Sequence, residues 1–231
     1  MGAEASHETL RAVLAQRPPC KVLDAACGQG ALAKFLHERG WDVHCADIFP
    51  ELFRFDGIPV TKANLNRALP FENGAFDVVV CANAMHRLFN PAGAVAEFFR
   101  ILRPGGRLYL NVNNYASIET RLRFLLYGSL DHRGACEEGV NPAGDPEGDV
   151  RNRLLYPQLA QYLEAAGFQT LRMLTAPPLL RHRWLGPLAG LVWLLAHLVS
   201  AGVRERNKLD MTNARPILFG GYYFLVEAAR P

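Results

Sequence analysis

Val22-Leu23-Asp24-Ala25-Ala26-Cys27-Gly28-Gln29-Gly30 is the stretch on which the fold of this chain turns. An apolar run that opens at Lys21 ends in a small-residue turn, and Ala31 to Arg39 then reads as a helix with Gly40 just past its end. Strand, tight turn and helix in that order open an α/β unit. Small residues let the backbone approach a ligand closely, and the first N–H groups of the helix are free to meet it. A second acid, Asp47, follows the next apolar run, Asp42 to Ala46. A carboxylate at that strand tip can accept both hydroxyl hydrogens of a ribose.

Working outward, His7 to Gln16 carries Leu10, Val13 and Leu14 at helical spacing, and Pro18-Pro19 end that helix. A short helical turn is expected near Pro50 to Phe55, and a third strand from Pro59 to Ala63. Phe76 to Ala82 is uniformly apolar, as a strand covered on both faces should be. Pro91 to Leu102 is an amphipathic helix with Val95, Phe98, Phe99 and Leu102 on one side, and Pro104-Gly105-Gly106 turns the chain into the strand Arg107 to Val112. The glycines of that turn are expected to touch nothing else. Helices follow over Ala116 to Tyr127 and Pro157 to Ala166, with Gly128 to Val150 as an aperiodic loop between them. Gln169 to Leu174 and Tyr222 to Ala228 complete the strands. Such alternation predicts a parallel sheet with helices on both faces, and a ligand at the carboxyl ends of its strands.

Two ligands fit the first turn. Gly28-x-Gly30-x-x-Ala33 is a variant of the dinucleotide fingerprint, which alone is a weak signal. In a dehydrogenase that loop approaches a pyrophosphate, and Asp24 just before it would repel the phosphates. An acid there suits a cation that carries a ribose, such as S-adenosylmethionine (SAM) with its ammonium and sulfonium. The rest of the half-chain points the same way. Asp24 to Gly30 resembles the first motif of class I SAM-dependent methyltransferases. The run from Asn64-Leu65-Asn66 through Leu69-Pro70-Phe71-Glu72 to Val80 resembles their segment from the adenine contact into the fourth strand, and Arg100 to Leu108 their turn into the fifth. Within that superfamily the chain is most similar to the type 11/12 methyltransferases.

The resemblance implies a Rossmann-like, seven-stranded, mostly parallel sheet with its last strand antiparallel. It implies one domain over 1–231: a cofactor half at about 20–113, acceptor-side helices and loop at about 114–218, and the final strand at 219–231. It also implies a division of labour. Ala26, Cys27, Gly28 and Gly30 form the turn under the methionine and ribose, with Ala26 where the family usually has glycine. Asp47 holds the ribose hydroxyls, with Ile48 against the adenine. Asn64 and Leu65 meet the adenine edge, and Ala82 with Asn83 faces the methionyl part. Each acid has a plainer role available: Asp47 as a cap for the turn at Pro50, Asp24 as a structural strand-end acid.

Methyl transfer from a sulfonium is an in-line displacement, so holding two partners in line does most of the work. A general base is needed only where the acceptor must lose a proton. His86, just past the fourth strand, is the catalytic candidate, against a plain reading as a solvated or hydrogen-bonded helix-start histidine. Asp131 and His132 form a second pair. The fourth strand's end lacks the Asn/Asp-Pro-Pro-aromatic motif of amino-group methyltransferases acting on nucleic acids and proteins. With 25 Lys+Arg against 22 Asp+Glu, nucleic acid is disfavoured and a small-molecule, lipid-linked or glycan acceptor is expected. Arg121 to Leu126 points the same way by analogy with relatives that act on glycans or natural products. An NAD(P)-dependent oxidoreductase and a SAM-binding protein without turnover remain the alternatives.

Trp184 to Val203 carries no Asp, Glu, Lys or Arg and has basic flanks. It just reaches transmembrane length, but spanning would pull the last strand from its sheet. An interfacial helix at a membrane surface, a self-association surface and a helix lidding its own domain stay open. Five scattered cysteines without a C-x-x-C suit a reducing compartment and argue against zinc or any other structural metal. No basic region followed by an apolar core marks a secretory signal, and the match of Met1 to Ser6 to a myristoylation pattern lacks a second anchor. The expected location is the cytoplasm, with a peripheral position at the inner membrane face as the variant that Trp184 to Val203 would allow.

Overall fold

A computed structural model describes residues 2–128, 152–174, 183–221 and 223–231. Seven strands form one sheet: β1 (Lys21–Ala25), β2 (Asp42–Asp47), β3 (Val60–Lys62), β4 (Phe76–Ala82), β5 (Leu102–Asn113), β6 (Gln169–Leu174) and β7 (Tyr223–Ala229). Their order is β3-β2-β1-β4-β5-β7-β6. β1 to β5 pair in parallel, while β7 runs antiparallel to both β5 and β6. The chain steps outward from β1 to β3 and then returns to β4 on the other side of β1. That reversal opens a crevice at the carboxyl ends of β1 and β4.

Period-two alternation gives the sheet two buried faces. Val22, Val78 and Val80 point into a cluster with Leu10 and Leu14 of α1 (Gly2–Ala15) and Leu32 and Leu36 of α2 (Ala31–His37). Leu23, Val79 and Cys81, their neighbours in sequence, point the other way. There they meet Val95 and Phe98 of α3 (Pro91–Ile101) and Leu159 and Leu163 of α5 (Tyr156–Ala166). Each such side chain, buried fully, contributes about 1.5–3 kcal/mol. The sheet therefore holds its strand ends rigidly in register, Ala25 beside both Ala46 and Cys81.

Several boundaries differ from the expected ones for identifiable reasons. β5 begins at Leu102, with a register break between Phe76 and Val78 where Pro104-Gly105-Gly106 bulges outward. Its glycines do make contacts: Gly105 N–H donates to Arg230 O (3.0 Å), and a Cβ on Gly106 would stand 2.7 Å from Arg103 O. Arg230 in turn donates from Nη1 to the carbonyls of Phe99, Arg100 and Leu102, closing the end of α3. α4 (Ile118–Tyr127) starts later than expected because Ser117 caps it, accepting from Thr120 N–H at 3.2 Å. The apolar stretch 184–203 is not one helix. A 3₁₀ turn (Arg183–Leu185) leads into α6 (Gly186–Leu198), Val199 turns extended, and α7 (Ala201–Arg206) restarts after Ser200. Among the described residues no helix is long and apolar enough to cross a membrane. Two short helices, α8 (Leu209–Thr212) and α9 (Arg215–Leu218), lead into β7.

Candidate functional site

The site is built where β1, β2 and β4 stop. Past Ala25 the chain pins itself to the neighbouring strand, with Ala26 and Cys27 N–H both donating to Ala46 O (2.7 and 3.2 Å). Ala26 takes φ +67°, inside the small left-handed region that L-residues can enter at a cost of about 1–2 kcal/mol. The turn then needs glycine twice. Gly28 has φ +52° and open space where a Cβ would stand, so it presents bare backbone. Gly30 has φ +85°, and its missing Cβ leaves room for Phe53, whose ring would lie 2.3 Å from such an atom. Phe53 belongs to the segment after β2, so that segment folds onto the turn. Sequence reasoning placed Gly30 under a ligand and missed this packing.

Two carboxylates meet here. Asp47 accepts from Gly28 N–H at 2.8 Å through Oδ2 and from Phe49 N–H at 2.9 Å through Oδ1. It ties the turn to the tip of β2 and does not cap the 3₁₀ turn Pro50–Leu52, whose N-cap residue is Phe49. A carboxylate offers about four acceptor positions, so two remain for further donors. Asp24 is 2% exposed. Burial first, and the charge of Asp47 second, push its carboxyl up from 3.8 to about 7. A buried acid pressed against a second acid favours a cation and opposes a phosphate.

The remaining predicted residues sit at or just past the carboxyl ends of β1 to β4. Ile48, Asn64, Ala82 and Asn83 are half-buried, whereas Leu65 and Cys27 pack into the core. Asn64 Oδ1 accepts from Asn66 N–H (2.9 Å), and Asn66 Oδ1 accepts from Phe89 and Asn90 N–H (3.0 and 3.1 Å). That chain of bonds ties the loop after β3 to the loop after β4. Asn83 sits at φ +57° and accepts at Oδ1 from Asn111 Nδ2 (3.3 Å). Asn111 is 2% exposed and escaped the sequence reading, although an amide inside the apolar strand Leu108-Tyr109-Leu110-Asn111-Val112 must find a partner.

His86 lies in the 3₁₀ turn Met85–Arg87 after β4 and is buried, so it is not a solvated histidine. Its carbonyl accepts from Asn152 N–H at 2.7 Å, which lays the segment leading into α5 across this turn. Asp131 and His132 lie outside the described residues. The thiols of Cys45 and Cys81 are poor nucleophiles. That of Cys45 is pushed far up by its hydrogen bond with Cys27 and then by burial, and burial does the same to Cys81. Among the described residues no group of three or more His, Cys, Asp or Glu could hold a metal ion.

Residues 23–110 match the family model described as a methyltransferase domain. An uncharacterized methyltransferase of Mycobacterium tuberculosis is 42% identical over 142 residues, 60% of this chain and 52% of that protein. A ubiquinone biosynthesis O-methyltransferase of Psychrobacter cryohalolentis is 31% identical over 105 residues, 41% of each chain. The chain thus spans about half the length, or less, of these curated relatives. Among solved structures, a SAM-dependent methyltransferase of Archaeoglobus fulgidus aligns with TM-score 0.59 at 16% identity, covering 99% of this chain and 96% of that one. A 1,6-didemethyltoxoflavin-N1-methyltransferase of Burkholderia thailandensis, solved with S-adenosylhomocysteine, aligns with TM-score 0.54 at 15% identity, covering 100% and 78%. At such identities the structures speak for the fold.

Proposed function

We propose that the chain, whose residues 23–110 match a methyltransferase domain, is a class I SAM-dependent methyltransferase that moves a methyl group from SAM to a small-molecule or lipid-linked hydroxyl or amine. The observation that carries this reading is the acid pair, Asp24 buried under the first turn and Asp47 bonded to Gly28 N–H. Asp47 suits the ribose hydroxyls, the bare backbone at Gly28 suits close approach, and Asp24 suits the positive charge of the methionyl end. Ala26, Cys27 and Gly30 shape the turn, Ile48, Asn64 and Leu65 form the adenine side, and Ala82 with Asn83 the methionyl side. The chemistry the cofactor supplies is an activated methyl on a sulfonium.

The chain's own contribution is positional, and in well-oriented cases such positioning lowers a barrier by about 7–11 kcal/mol. His86, buried beside the fourth strand's end, is the base we assign where the acceptor must lose a proton. Residues 114–218 form the acceptor side of a single domain. Relatives named as a ubiquinone biosynthesis O-methyltransferase and a demethylmenaquinone methyltransferase support an apolar acceptor.

Calorimetric titration with SAM, S-adenosylhomocysteine and NADH at pH 8 tests the reading. SAM and S-adenosylhomocysteine bind and NADH does not. Binding of NADH alone would make the chain an oxidoreductase. SAM binding without S-adenosylhomocysteine formation in the presence of a metabolite extract would point to a binding protein.

A further inference from the structure

The large apolar side chains left in solvent are not scattered. Apart from Phe89 and Leu155, those among the described residues sit on two touching elements. Residues 124–127 at the end of α4 are all more than half exposed, Leu125 at 78%. The other element is α6 with the turn before it, where Trp184, Leu188, Leu191, Leu195 and Leu198 recur at spacings of four and three, Trp184 at 71% and Leu198 at 73% exposure. Such spacing makes one stripe along a helix. The opposite side is anchored, since Ile118 of α4, Leu185, Ala189 and Leu218 form one cluster against which Leu122 and Val192 pack. Neither helix is loose; both turn hydrocarbon outward on a fixed base.

The surroundings of this face are cationic. Residues 119–128 and 184–215 hold six Lys/Arg against three Asp/Glu, in a chain whose net charge is only +3, and one of the acids, Asp210, is paired with Arg204. One of the cations, Arg215, stands over the Trp193 ring at 5.6 Å. Among the described residues nothing covers these side chains. Apolar contact across a two-fold axis would bring this cation-rich rim against itself, like charge to like. An anionic bilayer answers both features, with acyl chains for the stripe and headgroups for the rim.

We propose that the α4–α6 face docks on the surface of an anionic lipid bilayer. α4 begins just past the carboxyl end of β5, the end of the sheet at which the crevice opens. The inference stands apart from the methyl-transfer reading, because lipid binding needs no turnover.

The test uses the full chain and vesicles of pure phosphatidylcholine or of phosphatidylcholine with 30% phosphatidylglycerol (a composition of about the anionic content that polybasic surfaces respond to). Cosedimentation should favour the anionic vesicles at least tenfold and weaken as salt is raised from 0.05 to 0.5 M (a Debye length falling from about 14 to about 4 Å). Trp184 emission should shift to the blue on binding, and Trp184→Phe should remove most of that shift. Leu191→Asp/Leu195→Asp changes only solvent-exposed positions, so melting temperature should hold while vesicle binding drops tenfold or more. No vesicle binding by a folded chain overturns the proposal. So does a dimer in sedimentation equilibrium that the same double variant dissociates, which would assign the face to a second copy.

Discussion

Replacing Asp24 by Asn tests the electrostatic basis of the site without changing its shape. The carboxyl is buried and pushed up to about 7 by burial and by Asp47. At about 1.4 kcal/mol per tenfold change, the rise from 3.8 corresponds to up to about 4 kcal/mol. The sign follows from proton counting. Between pH 4 and 7 the native state keeps a proton that the unfolded chain has lost, so native stability falls as pH rises through that window and levels off above it. An amide carries no charge at any of these pH values. Asp24→Asn should therefore gain stability relative to the native protein on going from pH 4 to pH 8, by up to about 4 kcal/mol. Urea unfolding of both proteins at the two pH values measures it. In the same variant SAM affinity at pH 8 should fall at least tenfold, about 1.4 kcal/mol or more. The native protein should bind SAM more weakly at pH 5 than at pH 8, and the variant should lose that dependence. Equal stability differences at pH 4 and pH 8, or undiminished SAM affinity, would refute the reasoning.

Ala26→Gly relieves a left-handed alanine at φ +67° and, after the greater freedom of glycine in the unfolded chain, should stabilise by about 0.5–1 kcal/mol in thermal melts, with SAM binding kept. Gly30→Ala drives a methyl into the Phe53 ring and strains φ +85°, so a loss of about 2–3 kcal/mol is expected. Phe53→Ala in the same chain should return the steric share, seen as favourable coupling in a double-mutant cycle. Arg230→Ala strips three carbonyls of a charged donor and should cost about 1–3 kcal/mol in urea unfolding. His86→Gln should leave the calorimetric affinity for SAM within about twofold, because a base for the acceptor adds nothing to cofactor binding.

The half of the molecule that holds the crevice was legible because its signals are local. A carboxylate at a strand tip, a small-residue turn and an apolar run each announce themselves within a few residues, and β1, β2 and β4 lie close to their expected bounds. What escaped depends on contacts made across the sequence. Phe53 fills the space left by Gly30, Asn111 satisfies Asn83 across two strands, and Asn152 reaches back to His86. Composition could not show these, since each rests on how segments far apart in sequence come together. The apolar stretch after Trp184 was legible as apolar and not as a span, but its break was not. Hydropathy counted twenty uncharged residues, while Val199 adopts an extended backbone that no hydropathy average registers. Its exposure depends on how few of its neighbours are apolar, and that is a property of the assembled surface.

The place of β7 has a consequence for how the molecule comes into being. Among the described strands β6 has no neighbour in the sheet except β7, and β7 is the later of the two to be synthesised. On the ribosome β6 must therefore wait, with its hydrogen-bonding groups unmatched, until residues 223–229 have cleared the exit tunnel and slipped in beside β5. Until that moment β5 is an open edge, able to recruit a strand from another nascent chain. The Arg230 clasp on the end of α3 marks the closing of that gap, and the cell's chaperones have most to shield in the interval before it forms.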